Sequence, residues 1–154
     1  MKAAVLHAPQ DLRVETVPDP IPGPGEALVR VRATGLCGTD YRIWSGDRPA
    51  RYPLIMGHEF IGDVAAVGEG VESVKPGDRV AVEPNYSCAH CSLCLSGNRN
   101  LCLKRTAIGI DVNGGFAELV VVPASCCWPA PPGLVDDQLL LAEPLAVVAR
   151  AVAR

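Results

Sequence analysis

Four cysteines near the middle of the chain follow the spacing C-x2-C-x2-C-x7-C: Cys88, Cys91, Cys94 and Cys102. Thiolates two residues apart on a tight loop can converge on one tetrahedral metal ion, and four of them complete its coordination shell. The surrounding segment, residues 85–105, carries few large apolar side chains and cannot bury a core of its own. The spacing therefore predicts a small lobe that a structural zinc ion holds together.

An iron–sulfur cluster and a disulfide framework are the alternatives for these cysteines. Bacterial ferredoxins share the C-x2-C-x2-C run, but their fourth cysteine follows after three residues and precedes a proline. Here seven residues intervene and Leu103 follows. Disulfides do not explain the regular spacing, and an odd total of seven cysteines leaves one over. Zinc is favoured, and His90, inside the loop, is expected to be a bystander because four thiolates are already present.

Composition excludes several classes of protein. The length of 154 residues suits one domain with a proper core. The net charge of −3 and the lack of any lysine or arginine cluster argue against a nucleic-acid partner. No run of about 18 apolar residues is available for a membrane span, and the N-terminus lacks the apolar region of a signal peptide. Cysteines spaced as metal ligands favour a reducing, cytoplasmic compartment.

Short apolar segments alternate with turns rich in glycine and proline, which predicts an all-β barrel or sandwich. Only the end, Asp136–Arg154, looks helical, with Pro144 in the first turn of a final helix. The predicted strands are Lys2–Leu6, Leu12–Val17, Ala27–Gly35, Ile61–Val67, Asp78–Val82 and Phe116–Val122.

The chain has no G-x-G-x-x-G motif between a strand and a helix, which is the fingerprint of a dinucleotide-binding fold. The fragment Gly68-x-Gly70 lacks the third glycine and a following helix, and it is interpreted as a β-turn. Any dinucleotide that the chemistry needs is therefore expected to bind outside this chain.

A second set of metal-capable residues lies outside the lobe: Cys37, His58, Glu59 and Glu143. Singly, each has an ordinary explanation, as a buried thiol, a surface pair or a helix boundary. Their joint occurrence beside a four-cysteine lobe favours a second metal site. A mixed set of thiolate, imidazole and carboxylate ligands can leave one coordination position open for chemistry.

Together, these segments resemble the catalytic domain of the medium-chain, zinc-dependent alcohol dehydrogenases over essentially the whole chain. The marks are LCGTD at residues 36–40, GHEFIGDVAAVGEGV at 57–71, the cysteine lobe, GGFAEL at 114–119 and EPLA at 143–146. The carboxylate in EPLA is similar to the polyol, threonine and butanediol dehydrogenase branch. The resemblance implies a mainly β, GroES-like domain over residues 1–154. That domain is a partly open β-barrel with a protruding zinc lobe and a C-terminal helix.

The resemblance also implies roles for the second set. Cys37 and His58 would be ligands of a catalytic zinc. Glu143 would be a third ligand or would hold the zinc-bound water. Glu59 would be a ligand, or a carboxylate beside the metal that exchanges with water.

Two residues of the LCGTD segment would complete this site. Asp40 would hydrogen-bond the ring nitrogen of His58 that faces away from the metal. Thr39 would place its hydroxyl against the substrate alcohol and pass on its proton. The family often has a histidine where this chain has Arg42, and arginine cannot exchange a proton near pH 7. The route of the proton to solvent is therefore left open.

Two pairs of side chains outside these sets have less specific interpretations. Cys126 and Cys127 are adjacent, so on a strand they would point to opposite faces and are expected to be buried packing residues. Tyr41 and Trp44 either line a substrate pocket or pack in the core or an interface.

The predicted function is the catalytic domain of a zinc-dependent NAD(P) oxidoreductase that acts on a secondary alcohol, polyol or amino alcohol. Two zinc ions per chain are expected. Members of the resembled family are more than twice as long, so a Rossmann domain is expected after residue 154, and this chain alone is expected to be inactive. The full-length form is expected to be a homodimer or homotetramer. The alternatives are a non-enzymatic zinc-binding or assembly module and the zinc-free quinone reductase branch, which lacks these ligands.

Overall fold

The structure, a computed structural model, describes residues 1–153. It is mainly β, as predicted. The strands are β1 (Lys2–Ala8), β2 (Asp11–Thr16), β3 (Glu26–Thr34), β4 (Leu54–Ile55), β5 (Phe60–Val67), β6 (Arg79–Val82), β7 (Asn85–Tyr86), β8 (Thr106–Ala107), β9 (Leu119–Pro123) and β10 (Cys127–Pro129). The α-helices are α1 (Gly38–Ser45), α2 (Ser92–Leu95), α3 (Asp136–Leu140) and α4 (Ala142–Val152).

The strands form three antiparallel sheets. Five strands make the largest sheet, in the order β10-β6-β5-β3-β9, and β2-β1-β4 make a second sheet. The pair β7-β8 lies at the base of the cysteine lobe. The segment before β9 joins the two larger sheets, because the N–H of Ala4 donates to the carbonyl of Phe116 (2.8 Å) and that of Glu118 to Lys2 (3.0 Å). The result is a partly open barrel, as predicted.

The main core consists of apolar side chains from the five-stranded sheet and the segments that cover it. Strand β3 shows the predicted alternation, since Ala27 and Val29 are fully buried while Arg30 is exposed. Each fully buried valine, leucine, isoleucine or phenylalanine contributes about 1.5–3 kcal/mol. The largest buried members of this core are Val29, Phe60, Val80, Ile108 and Val122.

Two of the predicted elements differ in the structure. The strand predicted at Phe116–Val122 begins at Leu119, and the residues before it, Phe116 and Glu118, form hydrogen bonds to β1. The predicted C-terminal helix is two helices, α3 and α4, with Pro144 in the first turn of α4. The prediction for Arg154 lies outside the described residues. No helix in the described part of the chain is both long and apolar enough to cross a membrane.

The main error in the predictions is the omission of helix α1, because only the end of the chain was expected to be helical. It begins after Cys37, whose backbone N–H donates to the Asp40 carboxylate (2.9 Å), and it ends at Gly46 in a left-handed conformation (φ 90°). This is the carboxylate half of a capping box, with cysteine where serine or threonine is usual. The unusual cap residue concealed the start of the helix.

Three glycines pack without space for side chains next to His58. A Cβ on Gly114 would lie 2.1 Å from the carbonyl oxygen of Gly57, and one on Gly109 would lie 2.3 Å from the same atom. Backbone atoms cannot swing aside as side chains do. The loop that carries His58 is therefore positioned by direct backbone contact.

We expect Gly114→Ala to lower the free energy of unfolding by about 2–3 kcal/mol, the upper part of the usual range for overpacking. Denaturant unfolding of the metal-loaded chain measures this. Gly38→Ala is the matched control, because nothing lies within 4 Å of a Cβ at that position. Equal stability of the two variants would contradict the prediction.

Candidate metal centres

The four spaced cysteines converge in the structure. The Sγ atoms of Cys91 and Cys94 are 3.5 Å apart, and those of Cys88 and Cys102 are 3.6 Å apart. The Cys88–Cys94 and Cys91–Cys102 pairs are each 3.9 Å apart. Four thiolates at a Zn–S distance of about 2.3 Å in a tetrahedron are separated by about 3.8 Å. The cluster therefore fits a single ion of this size, and its separations are too long for disulfide bonds.

The local backbone explains this convergence. Helix α2 begins directly after Cys91, and the N–H of Leu95 donates to the Cys91 carbonyl (3.0 Å), so Cys94 turns back toward Cys91. A 3-10 turn at residues 99–101 then places Cys102 next to the other cysteines. The backbone amide of His90 lowers the pKa of Cys88 to about 6, which favours the thiolate. The ring nitrogen Nδ1 of His90 lies 2.6 Å from the Cys88 carbonyl oxygen, and its ring is outside the sulfur cluster.

The second cluster arises from strand pairing. Strands β3 and β5 are antiparallel neighbours with Thr34 opposite Phe60, so residues after β3 and before β5 lie at one end of the sheet. At that end the sulfur of Cys37, a ring nitrogen of His58 and a carboxylate oxygen of Glu59 lie within 4.8 Å of one another. Residues 21 positions apart in sequence thus form a three-donor group.

Gly35 has a role at this site that the sequence analysis missed. Its N–H donates to the carbonyl of Glu59 (2.7 Å), extending the strand pairing by one step. A Cβ on Gly35 would lie 2.6 Å from Oε2 of Glu59. The missing side chain therefore leaves room for the Glu59 carboxylate beside Cys37. The only signal in the sequence is a glycine between the end of a strand and a metal-capable cysteine.

Asp40 and His58 are the two buried polar side chains among the described residues, with 1% and 6% of their surfaces exposed. Oδ1 of Asp40 lies 3.3 Å from Nδ1 of His58, and neither atom has a well-aligned hydrogen-bond partner among residues 1–153. The other carboxylate oxygen accepts the N–H of Cys37. The carboxylate thus lies against Nδ1 and leaves Nε2 for a metal, an arrangement typical of metal-ligating histidines.

Charge at this site raises the pKa of His58 in the metal-free chain. Burial acts to lower that pKa, but the carboxylate of Asp40 and the thiol of Cys37 outweigh it and raise the pKa to about 9. In the metal-free chain, the proton on His58 therefore supplies the positive charge that a bound cation would otherwise place beside Asp40 and Cys37.

Glu143 lies near the second cluster without joining it. It is half-buried in the first turn of α4, and it is not part of the group whose donor atoms lie within 4.8 Å of one another. Burial and the charge of Glu59 raise the pKa of Glu143, while His58 acts to lower it. The carboxylate is therefore a neighbour of both side chains.

The other residues singled out within and just after the LCGTD segment lie on α1. Thr39 is half-buried, one residue before Asp40, and Arg42 is exposed. Tyr41 is 62% exposed, with its ring 5.7 Å from that of Trp44. The Trp44 ring packs against a small core cluster, so at least one face of it serves packing.

Cys126 and Cys127 are buried in the main core and belong to neither metal-capable cluster. Burial raises the pKa of Cys126 to about 11 and that of Cys127 to about 12. Their thiols are protonated at neutral pH and act as small apolar side chains, as expected.

Comparison with known proteins identifies a matching family and relatives of similar sequence. Residues 23–132 match the family described as Alcohol dehydrogenase GroES-like domain. The starvation-sensing protein RspB of Escherichia coli is 41% identical, with 97% of this chain and 44% of RspB covered. The sorbitol dehydrogenase of Halalkalibacterium halodurans is 38% identical, with 100% of this chain and 46% of the relative covered.

A solved structure shares the fold closely. The RspB alcohol dehydrogenase of another E. coli strain, complexed with NADH, superposes with a TM-score of 0.94 at 39% identity, covering 99% of this chain and 45% of that one. The chain thus spans less than half the length of these relatives. Because the family match covers most of the chain and the fold agrees, the chain belongs to the alcohol dehydrogenase GroES-like domain family.

Proposed function

We propose that this chain is the catalytic domain of a zinc-dependent NAD(P) oxidoreductase that oxidises a secondary alcohol, polyol or amino alcohol by hydride transfer. The observation that carries the proposal is the convergence of Cys37, His58 and Glu59, with the buried carboxylate of Asp40 behind His58. A scaffold protein has no need of a three-donor group supported in this way. The names of the sorbitol dehydrogenase relative and the NADH-bound alcohol dehydrogenase agree with this chemistry.

The donor set fits zinc, which takes thiolate, imidazole and carboxylate ligands at one site. When bound, zinc supplies a Lewis acid that lowers the pKa of a hydroxyl group beside it. Cys37, His58 and Glu59 would hold the ion. Glu143 would serve as a further ligand or hold a water molecule there.

The remaining groups act on orientation and on the proton. Asp40 lies against Nδ1 of His58, where it would orient the ring, and its other oxygen accepts the backbone N–H of Cys37. Thr39, in the first turn of α1, would accept the proton of the substrate hydroxyl and pass it on. Arg42, exposed on the same helix, stays protonated near neutral pH and is not a relay.

The proposal includes a second, structural zinc ion at Cys88, Cys91, Cys94 and Cys102, which gives two ions per chain. The hydride acceptor, NAD or NADP, would bind to a Rossmann domain of the whole protein. We further propose that the whole protein is a cytoplasmic homodimer or homotetramer. The metal-ligand spacing of the four lobe cysteines supports a reducing compartment.

Cobalt(II) substitution tests the proposal on the chain as it is. We expect two cobalt ions per chain, and a change in the visible spectrum of the mixed-donor centre when a polyol, threonine or butanediol is added. Cys37→Ser is expected to abolish that change and leave the four-thiolate spectrum intact. With NAD or NADP added, the chain alone is expected to produce no reduced cofactor. Two bound metals without any response to alcohols would favour the zinc-binding or assembly module instead.

A further inference from the structure

Four charged side chains form a cluster outside the two metal centres: Arg32, Asp63, Arg79 and Asp136. Asp136 lies between the two arginines, with Oδ2 2.8 Å from Nε of Arg32 and Oδ1 3.1 Å from an Nη of Arg79. Arg32 also contacts Asp63 at 3.1 Å. The neighbouring strands β3, β5 and β6 supply three of these residues, and α3 supplies the fourth. The two positive and two negative charges balance.

This cluster attaches α3 to the sheet. Asp136 is the first residue of α3, and Arg79 also donates to the carbonyl of Leu134, just before the helix. At the other end of the helix, Leu139 is buried against Ile61 and Ala81. A polar contact at the start and an apolar contact one turn later fix both the position and the rotation of α3.

The position of α4 follows from that of α3. The two helices share Leu141, whose helical φ of −73° both ends α3 and begins α4, so there is no flexible linker between them. Helix α4 has no buried residue of its own, and besides α3 it contacts β6. Glu143 is its second residue and lies only seven positions after Asp136. The contacts that hold α3 therefore help to determine where the Glu143 carboxylate lies.

We infer that Asp136 is a positioning residue for the mixed-donor centre: its two arginine contacts hold α3 and α4 so that the Glu143 carboxylate lies beside that centre. This inference rests on the proposed function, in which Glu143 ligates the ion or holds its water. It assigns to an ion-pair cluster on the sheet a role in metal affinity as well as in stability.

Cobalt(II) titration of the chain, followed separately in the spectra of the two centres, tests the inference. We expect Asp136→Asn to weaken cobalt binding at the mixed-donor centre about tenfold, the lower end of the range for residues that orient metal ligands. The four-cysteine centre should be unaffected. Asp137→Asn is the matched control, because Asp137 is the next residue of α3 and is exposed. It is expected to bind cobalt as the parent chain does.

A double variant separates positioning from general loosening of the fold. If Asp136 acts through Glu143, adding Asp136→Asn to Glu143→Gln should weaken cobalt binding no further than Glu143→Gln alone. Additive losses, or an Asp136→Asn variant that matches the Asp137→Asn control, would overturn the inference while leaving Glu143 as a ligand. If Glu143→Gln itself leaves cobalt affinity unchanged, the proposed role of Glu143 is wrong, and the inference falls with it.

A milder variant covers the case in which Asp136→Asn does not fold. Arg32→Gln removes one of the two contacts of Asp136 and leaves Arg79 in place. It is expected to weaken cobalt binding at the mixed-donor centre by about threefold, again with no effect at the four-cysteine centre. An unchanged affinity in this folded variant would count against the inference.

Discussion

Cys94→Ser is expected to remove one zinc ion per chain and to unfold the lobe at residues 85–105. Cys94 is buried in the sulfur cluster, 3.5 Å from Cys91 and 3.9 Å from Cys88. A structural zinc site contributes about 10–16 kcal/mol in small peptides, and the lobe has little apolar core to replace it. Metal analysis should fall from two zinc ions to one, and amide hydrogen exchange in the lobe should accelerate greatly.

His90→Ala is the matched control for this prediction. His90 lies in the same loop, but its ring contacts the backbone carbonyl of Cys88 and does not join the sulfur cluster. It should therefore retain both zinc ions and a protected lobe. A Cys94→Ser chain that still holds two ions, or a His90→Ala chain that loses one, would show that the four thiolates are not the ligand set.

His58→Ala is expected to empty the mixed-donor centre and to destabilise the barrel. The substitution removes one metal ligand and leaves the Asp40 carboxylate buried without its partner. Removing one member of a buried ion pair costs about 3–5 kcal/mol. We expect one zinc ion per chain by metal analysis and a clear loss of stability in denaturant, with the four-cysteine lobe intact.

His7→Ala provides the comparison for His58→Ala. His7 is half-buried and pairs with Glu15 at 2.9 Å, away from both metal-capable clusters. It should keep two zinc ions, with little change in stability, because partly exposed pairs contribute about 0–1 kcal/mol. If His58→Ala also kept two ions, His58 would not be a ligand.

The raised pKa of His58 predicts that zinc binding at the mixed-donor centre of the parent chain depends on pH. A metal binds only the neutral imidazole, and the metal-free chain holds a proton on His58 below a pKa of about 9. Zinc affinity at the mixed-donor centre should therefore rise with pH up to about 9, with about one proton released from His58. The stability of the metal-free fold is expected to show the opposite trend. The pKa of His58 in the folded chain is raised above the ordinary 6.5 to about 9. The stability from the His58–Asp40 pair is therefore fully present below pH 6.5 and is lost as the pH rises through about 9.

The convergence of the four cysteines could be predicted from the sequence because they are close together in the chain. Cys88 to Cys102 span one short loop, and tight turns place thiolates at these intervals close together whatever the rest of the chain does. The β class was predictable for a similar reason, since the two-residue alternation seen in β3 and the glycine-proline turns act over a few residues. Helix α1 escaped prediction because its cap is Cys37 in place of serine or threonine.

The mixed-donor centre depends on contacts between distant segments. The sequence named Cys37, His58, Glu59 and Glu143 as candidates, but residue types alone could not bring them together. The register of β3 against β5 brings the first three to one end of the sheet. The missing side chain at Gly35 then makes room for the Glu59 carboxylate.

The position of Glu143 depends on the tertiary structure most of all. Its approach to the site follows from ion pairs between α3 and the strands, made by residues 57 to 104 positions apart in sequence. Such pairs leave no periodic signal, because an exposed arginine on a strand has the same pattern whether it faces water or a helix. Local spacing and residue type therefore indicated the candidate donors, while long-range packing decided which of them converge.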